Sequence, residues 1–284
     1  MTNILIPTDY SATAINATNY ALELAKQIKA TVTLLHVYNI PVTATDFPIV
    51  ISSVEEFETI NKTQINKHIE ELKKTHPDVL EIKGIIRLGF VFDEIQSVVE
   101  KEKINLVIMG ITGGGRLSEI LIGSNATRVV TNLSCPAIVV PKDAKYKPIK
   151  NIAFACDYSQ VEEYKAIDTL VEYVKLFDAK LQVINIGNPS EKHTHAKELA
   201  GRLLEYLFEN ASESLELPNN IDYSVHKRKD EDVIHGINRF ATKHNADLIV
   251  MMPRKHSLLS SLFHESNTKK MAFHTHIPVL TLHD

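Results

Sequence analysis

No apolar stretch in the 284 residues reaches the roughly 20 needed to cross a bilayer, which argues against a helical membrane protein. The start, Met1-Thr-Asn-Ile-Leu-Ile-Pro7, lacks the charged, apolar and small-residue succession of a signal peptide, so a cytoplasmic location is expected. Positive charge is not in surplus. With 31 Lys and Arg against 35 Asp and Glu, the formal charge is -4, and no basic surface is offered to nucleic acid. Cysteine is scarce: Cys135 and Cys156 have no zinc spacing and read as buried thiols of a reducing compartment. The pairs His193-x-His195 and His274-x-His276 lack the further ligands of a closed site, so they read as surface histidines and no metal is expected. Two familiar nucleotide motifs are missing as well. A P-loop needs Lys between its last glycine and a Ser or Thr, but Gly123 runs straight into Ser124. A dinucleotide fingerprint needs G-x-G-x-x-G after the first strand, which here ends Ile6-Pro7-Thr8-Asp9.

What is present is a third arrangement. Asn105-Leu-Val-Ile-Met109 is a short run of branched apolar residues that stops at glycine, as a buried parallel strand does. Gly110-Ile-Thr-Gly113 follows, then nine residues, then Gly123-Ser124-Asn125, where Ser or Asn can cap a helix running to Leu133. Gly110 and Gly113 permit conformations barred to other residues and close approach of a ligand to the main chain. The free amides of a helix start attract phosphate. Strand, spaced glycines and helix start together read as a phosphate cradle. A tight strand-to-helix turn with an ordinary serine cap is the structural alternative.

Internal repetition sets the domain organisation. Asn3-Ile-Leu-Ile-Pro-Thr-Asp9-Tyr10-Ser11 returns as Asn151-Ile-Ala-Phe-Ala-Cys-Asp157-Tyr158-Ser159. Leu106-Val-Ile-Met109 matches Leu248-Ile-Val-Met251 at an offset of 142, which holds without a gap through Leu117-Ser118 with Leu259-Ser260, Ser124-Asn125 with Ser266-Asn267, and Pro136 with Pro278. Two units are expected, 1–143 and 149–284, joined by the polar, proline-bounded linker Pro141 to Pro148. The first reads as strands near 3–8, 31–37, 81–88, 105–109 and 136–140, with helices near 12–29, 55–76, 91–103 and 124–133. Ala14, Ala17, Ala21, Leu24 and Ile28 line one face of its first helix. The second unit has strands near 151–155, 180–186, 221–227, 247–252 and 278–282. Each unit is thus an α/β fold, an open five-stranded parallel sheet with helices on both faces. Ligands bind such sheets at the carboxyl ends of strands where strand order reverses, a crevice that Asp9 and Gly110 border if their strands are neighbours.

Pro7-Thr8-Asp9, Leu34-Leu35-His36-Val37 and above all Met109-Gly110-Ile-Thr-Gly113 with Gly123-Ser124 resemble the universal stress protein family in its tandem two-domain form. The last reproduces the family pattern G-x2-G-x9-G-[ST]. The resemblance implies strand order 3-2-1-4-5, pairing of two domains through their last strands, and ATP at the glycine motif, with Mg2+ as its companion. It gives Asp9 to the adenine amino group and the main chain of Val37 to the other base edge, with Pro7, Thr8 and Met109 alongside. Gly110, Gly113, Gly123, Ser124 and the amides of Asn125 and Ala126 go to ribose and phosphates. For Asp9 a second role stays open, as a cap on the first helix, and Arg116 has two, the phosphate tail or solvent.

The second copy departs from the motif. Met252, Lys255 and Glu265 stand where the first has its three glycines, and Ser266 alone survives. Either Glu265 occupies the anion site at the helix start, with Lys255 beside it, or the site has drifted. Both readings give one nucleotide per chain. The expected function is a nucleotide-dependent regulatory or stress-response module with a protein partner, whose segment Asn39 to Ser53 is a candidate responsive loop. The alternatives are a nucleotide-free interaction scaffold or a slow ATPase. No catalytic residue is assigned, since Thr112, Ser118, Glu119 and Arg116 are the only candidates near the motif. The two halves are expected to form an intramolecular pseudo-dimer, and whole chains either stay monomeric or pair again as a homodimer.

Overall fold

A computed structural model of the chain describes residues 2–39, 54–111, 124–155, 166–187, 223–229, 232–252, 271 and 274–283. The first half contains β1 (Asn3–Pro7), α1 (Ala12–Ile28), β2 (Thr31–Tyr38), α2 (Val54–Thr75), β3 (Ile82–Leu88), α3 (Val91–Lys101), β4 (Leu106–Ile111), α4 (Ser124–Asn132) and β5 (Ala137–Pro141). The second contains β6 (Asn151–Ala155), α5 (Ala166–Phe177), β7 (Lys180–Gly187), β8 (Tyr223–Lys229), α6 (Val233–Lys243), β9 (Leu248–Met251) and β10 (Val279–Thr281). These strands make one ten-stranded sheet in the order β3-β2-β1-β4-β5-β10-β9-β6-β7-β8. The expected order 3-2-1-4-5 therefore occurs in the first half and, mirrored, in the second.

Within each half the pairings are parallel, and β5 meets β10 antiparallel. The branched apolar runs that mark the central strands are buried on both faces, Ile4, Leu5, Ile6, Leu106, Val107 and Ile108 among them. Side chains alternate between two core layers, Ile4, Ile6 and Ile108 on one side and Leu5, Val107 and Met109 on the other. Helix α1 begins where Ser11 accepts a hydrogen bond from the Ala14 amide and ends with Lys29 in the left-handed region. Ala14, Ala17, Ala21 and Leu24 on its inner face are buried, and Ile28 packs against the same core.

Two details differ from the sequence expectation. Strand β4 runs two residues further than the apolar pattern suggested, because Gly110 pairs with Val140 and Ile111 with Pro141. Gly110 thus lies inside a strand and not in the turn that follows it. The linker is also folded onto the first half. Asn16 on α1 donates from Nδ2 to the carbonyls of Pro141 (3.2 Å) and Ala144 (2.9 Å), and Tyr146 packs edge-on against Tyr20 with ring centroids 5.2 Å apart.

Candidate functional site

The carboxyl ends of β1, β2 and β4 open onto one cavity of about 400 Å³. Strands β1 and β4 are neighbours, with Ile4 opposite Leu106 and Leu5 opposite Val107, so the crevice lies where the strand order reverses. Its wall contains Pro7, Thr8, Asp9, Val37, Met109, Gly110, Asn125 and Ala126, eight of the residues expected from the sequence. Gly113 and Gly123 lie outside the described residues, as does the side chain of Ser124, which opens α4. Thr112, Arg116, Ser118, Glu119 and residues 40–53 also lie outside them.

The connection from β1 to α1 is a compact polar turn. The Thr8 amide continues the ladder by donating to the Leu35 carbonyl (2.8 Å), while Thr8 Oγ1 accepts from the Tyr10 amide (3.1 Å). Asp9 Oδ1 accepts from the Ser11 amide (3.0 Å). Tyr10 takes a φ of 61°, a conformation that costs a bulky residue on the order of 1–3 kcal/mol. Its ring contacts oppose that cost, against His36 at 4.8 Å and His68 at 5.7 Å between centroids. His36 holds the turn from below, its Nδ1 donating to the Thr8 carbonyl (2.9 Å) and its Nε2 lying 3.1 Å from Asn61 Oδ1. The cap of α1 is therefore Ser11, and Asp9 is an exposed carboxylate at the cavity rim. Burial pushes that carboxyl up, but the Ser11 hydrogen bonds and the nearby His36 outweigh it, and the net shift is downward. The group stays ionised at neutral pH.

On the opposite wall, Gly110 faces the first turn of α1. A Cβ at this position would stand 2.4 Å from the Thr13 carbonyl oxygen and 2.7 Å from its Cγ2. The absent side chain lets helix and strand touch; Gly110 shows no positive φ. Helix α4 starts at Ser124 itself, so Ser124, Asn125 and Ala126 form its first turn and are not its caps. Amides of a first turn have no intrahelical acceptor and carry the positive end of the helix dipole. Among the described residues that line the cavity, Asp9 is the only ionisable one. Among these residues, anion binding would rest on amides and hydroxyls.

The universal stress protein family model matches the chain twice, over residues 1–141 and 148–283. The chain belongs to the universal stress protein family. Relatives include universal stress protein MJ0531 of Methanocaldococcus jannaschii, 33% identical over 154 residues, which are 50% of this chain and 83% of that one. Universal stress protein Slr1230 of Synechocystis is 23% identical over 301 residues, covering 99% of each chain. Among solved structures, a universal stress protein from Archaeoglobus fulgidus matches with a TM-score of 0.74, over 99% of this chain and 98% of that one. At 17% identity this is a likeness of fold.

The two universal stress protein units differ at the site. Met252, the counterpart of Gly110, is buried in the core layer that contains Ile167 and Leu170 of α5. Lys255, Glu265 and Ser266 lie outside the described residues, as do Cys156, His193 and His195. Cys135 is buried, and burial pushes its thiol up to about 12. His274 and His276 are exposed. No group of three or more metal-ligating side chains occurs among the described residues, and no helix there is long and apolar enough to cross a membrane.

Sequence reasoning missed Ser11, Thr13, Ala14, Leu35, Val91 and Ile111, which complete the cavity wall. Leu35 and Ile111 are flanked by assigned residues, and period-two alternation points to Leu35 beside Val37. Val91 reaches the cavity only through the packing of α3, for which the sequence carries no local signal.

Proposed function

We propose that the first half of this universal stress protein binds an adenine nucleotide, ATP in the first instance, and that the protein acts as a nucleotide-dependent regulatory or stress-response module. The observation that supports this reading is the convergence of Pro7, Thr8, Asp9, Val37, Met109, Gly110, Asn125 and Ala126 on one cavity at the strand-order reversal, with the first turn of α4 in its wall. In this reading the Asp9 carboxylate accepts from the adenine amino group, the main chain of Val37 meets the other base edge, and the amides of Asn125 and Ala126 hold phosphate. Gly113, Gly123 and Ser124 complete the cradle. The donor set fits an anionic ligand, because amides line the phosphate end and, among the described residues, no carboxylate competes there. Mg2+ would be held chiefly by phosphate oxygens, since Asp9 is assigned to the base and is the only carboxylate among the described wall residues.

The units are taken as 1–143 and 149–284, one nucleotide per chain, in a cytoplasmic protein with a protein partner. Rapid hydrolysis is not expected, because the described wall offers no general base toward the phosphate end. A nucleotide-free scaffold is the competing reading. It is favoured by one specific observation, that contact with Thr13 accounts for Gly110 without any ligand.

Denaturing the purified protein and identifying released nucleotide by mass spectrometry tests the proposal. About one adenine nucleotide per chain is expected, lost in an Asn125→Glu variant that puts a carboxylate at the phosphate end. No release and no binding of added ATP would leave the scaffold reading in possession.

A further inference from the structure

A larger cavity lies between the halves. About 850 Å³ in volume, it is walled by Tyr20 on α1, by the linker from Pro141 to Lys147, by the end of α6 and the approach to β9, and by His274 to Pro278 before β10. It belongs to neither the glycine motif nor its degenerate copy. Since β5 ends where β10 begins, this groove opens at the carboxyl ends of the first half's strands and the amino ends of the second half's.

The groove has a counterpart produced by the repeat. A second interdomain cavity, of about 550 Å³, is walled by Val99, Ile104, Asn105, Ser134, Cys135 and Pro136. At the offset of 142 these residues become Ala241, Ala246, Asp247, His276, Ile277 and Pro278, all of which line the first groove. Each groove is closed by the first helix of the opposite half, α1 in one and α5 in the other. One architecture thus occurs twice, and the differences between the copies are informative.

Charge is the first difference. Among its described lining residues the smaller groove contains Glu172 and no lysine, arginine or histidine. The larger contains Lys142, Lys145 and Lys147 from the linker, with His274 and His276 opposite. Among the described residues, no side-chain ion pair or hydrogen bond is made by any of the three lysines. Two carboxylates share the groove, Asp143 and Asp247, and Asp247 Oδ2 is already engaged by the amides of Lys150 and Asn151 at 3.0 Å each.

Hydrogen bonding is the second. In the smaller groove, Tyr173 on α5 donates its hydroxyl across the interface to the Asn105 carbonyl (3.2 Å). In the larger, Tyr20 on α1 is 2% exposed and its hydroxyl is buried without a partner. A buried hydroxyl without a partner costs about 1–3 kcal/mol, and Tyr20 supplies no counterpart of the cross-interface hydrogen bond that Tyr173 makes. The backbone that carries the lysines is also held in position. The Asn16 side chain pins the carbonyls of Pro141 and Ala144, the Ala144 amide donates to Pro141 (3.0 Å), and the Tyr146 hydroxyl donates to Gln27 Oε1. A linker serving as a mere spacer has no need of this fixation.

We propose that this groove binds a small phosphate-bearing molecule, with Lys142, Lys145 and Lys147 as its charge partners. Occupancy bridges the two halves, because the lysines lie on a linker anchored to α1 of the first and the α6 and His274 to Pro278 walls belong to the second. The site is separate from the proposed nucleotide cavity, and its test keeps the two apart.

Inorganic pyrophosphate is titrated by calorimetry at fixed ionic strength into wild type, Asn125→Glu, and the triple variant K142A/K145A/K147A, with ATP titrated in parallel. The lysines are exposed, so the triple variant is expected to keep its melting temperature. Pyrophosphate binding that survives Asn125→Glu and weakens at least tenfold in the triple variant supports the proposal. Equal pyrophosphate affinity in wild type and the triple variant overturns it, as does its disappearance in Asn125→Glu. Failure of ATP to bind wild type bears on the nucleotide reading alone.

Discussion

Ile138 faces Leu280 across the antiparallel ladder that joins β5 to β10, and the two occupy the same position in the two halves. Their neighbours exchange in the same way: Val139 pairs with Val279, and the repeat carries that pair onto Thr281 and Ala137, which also pair. A pseudo-twofold axis therefore passes between Ile138 and Leu280. Such an axis makes the interface isologous, each half offering the same patch to the other. The Thr281 hydroxyl adds a buried hydrogen bond to the Ala137 carbonyl (3.3 Å).

Both residues on the axis are fully buried. Leu280→Ala is expected to cost about 2–5 kcal/mol in urea unfolding. Combined with Ile138→Ala, the total should depart from the sum of the single losses by roughly 0.5–3 kcal/mol, because the two share one packed site. Strict additivity would count against direct packing.

Gly110→Ala inserts a methyl group against the main chain of α1, where no side-chain rotation can relieve it. A loss of about 1–3 kcal/mol is expected by thermal unfolding, with or without added nucleotide. Asn125→Glu, on a half-buried residue at a helix start, should stay close to wild-type stability. The pair separates loss of the site from loss of the fold.

Asp9 sets an acid dependence. Its folded value lies below the ordinary carboxylate value of 3.8, so it contributes stability that is complete well above that value and is lost as the pH falls through the folded one. Asp9→Asn should flatten the decline of melting temperature below about pH 4 and leave stability near neutrality little changed. An unchanged acid limb would show that the Ser11 hydrogen bonds do not hold the charge in solution.

Cys135 should resist thiol reagents at pH 8 in the folded protein. Its Sγ is buried and donates to the Ile104 carbonyl at 3.5 Å, and with the thiol pushed up to about 12 little thiolate is present. Labelling with iodoacetamide, located by peptide mass spectrometry, should proceed at Cys135 only after unfolding. Modification at native rates would refute its burial.

The strands were legible because parallel strands buried on both faces leave runs such as Ile4 to Ile6 and Leu106 to Met109 that few other structures need. The tandem organisation was legible from the offset of 142, and the cavity from the meeting of Asp9 and Gly110 at neighbouring strand ends. Other features depend on contacts distant in the chain. Nothing local to Gly110 announces Thr13, and nothing around Lys142, Lys145 and Lys147 announces Asn16, 125 residues from Pro141. The linker read as a polar spacer because its composition is that of one. Its anchoring rests on Asn16, Gln27 and Tyr20, which lie on a helix whose apolar positions follow ordinary amphipathic spacing.

The antiparallel seam gives the molecule polarity. Strands of the first half point their carboxyl ends one way and those of the second point theirs the other, so the Gly110 cavity and the region beyond Met252 lie at opposite ends of the sheet. In a symmetric pair of identical chains those ends would be interchangeable. Fusing two diverged copies in one chain makes them distinguishable: one end bears the Gly110 cavity and the lysine groove, and the other bears the smaller groove with Glu172. Whatever approaches end-on can tell one orientation from the other.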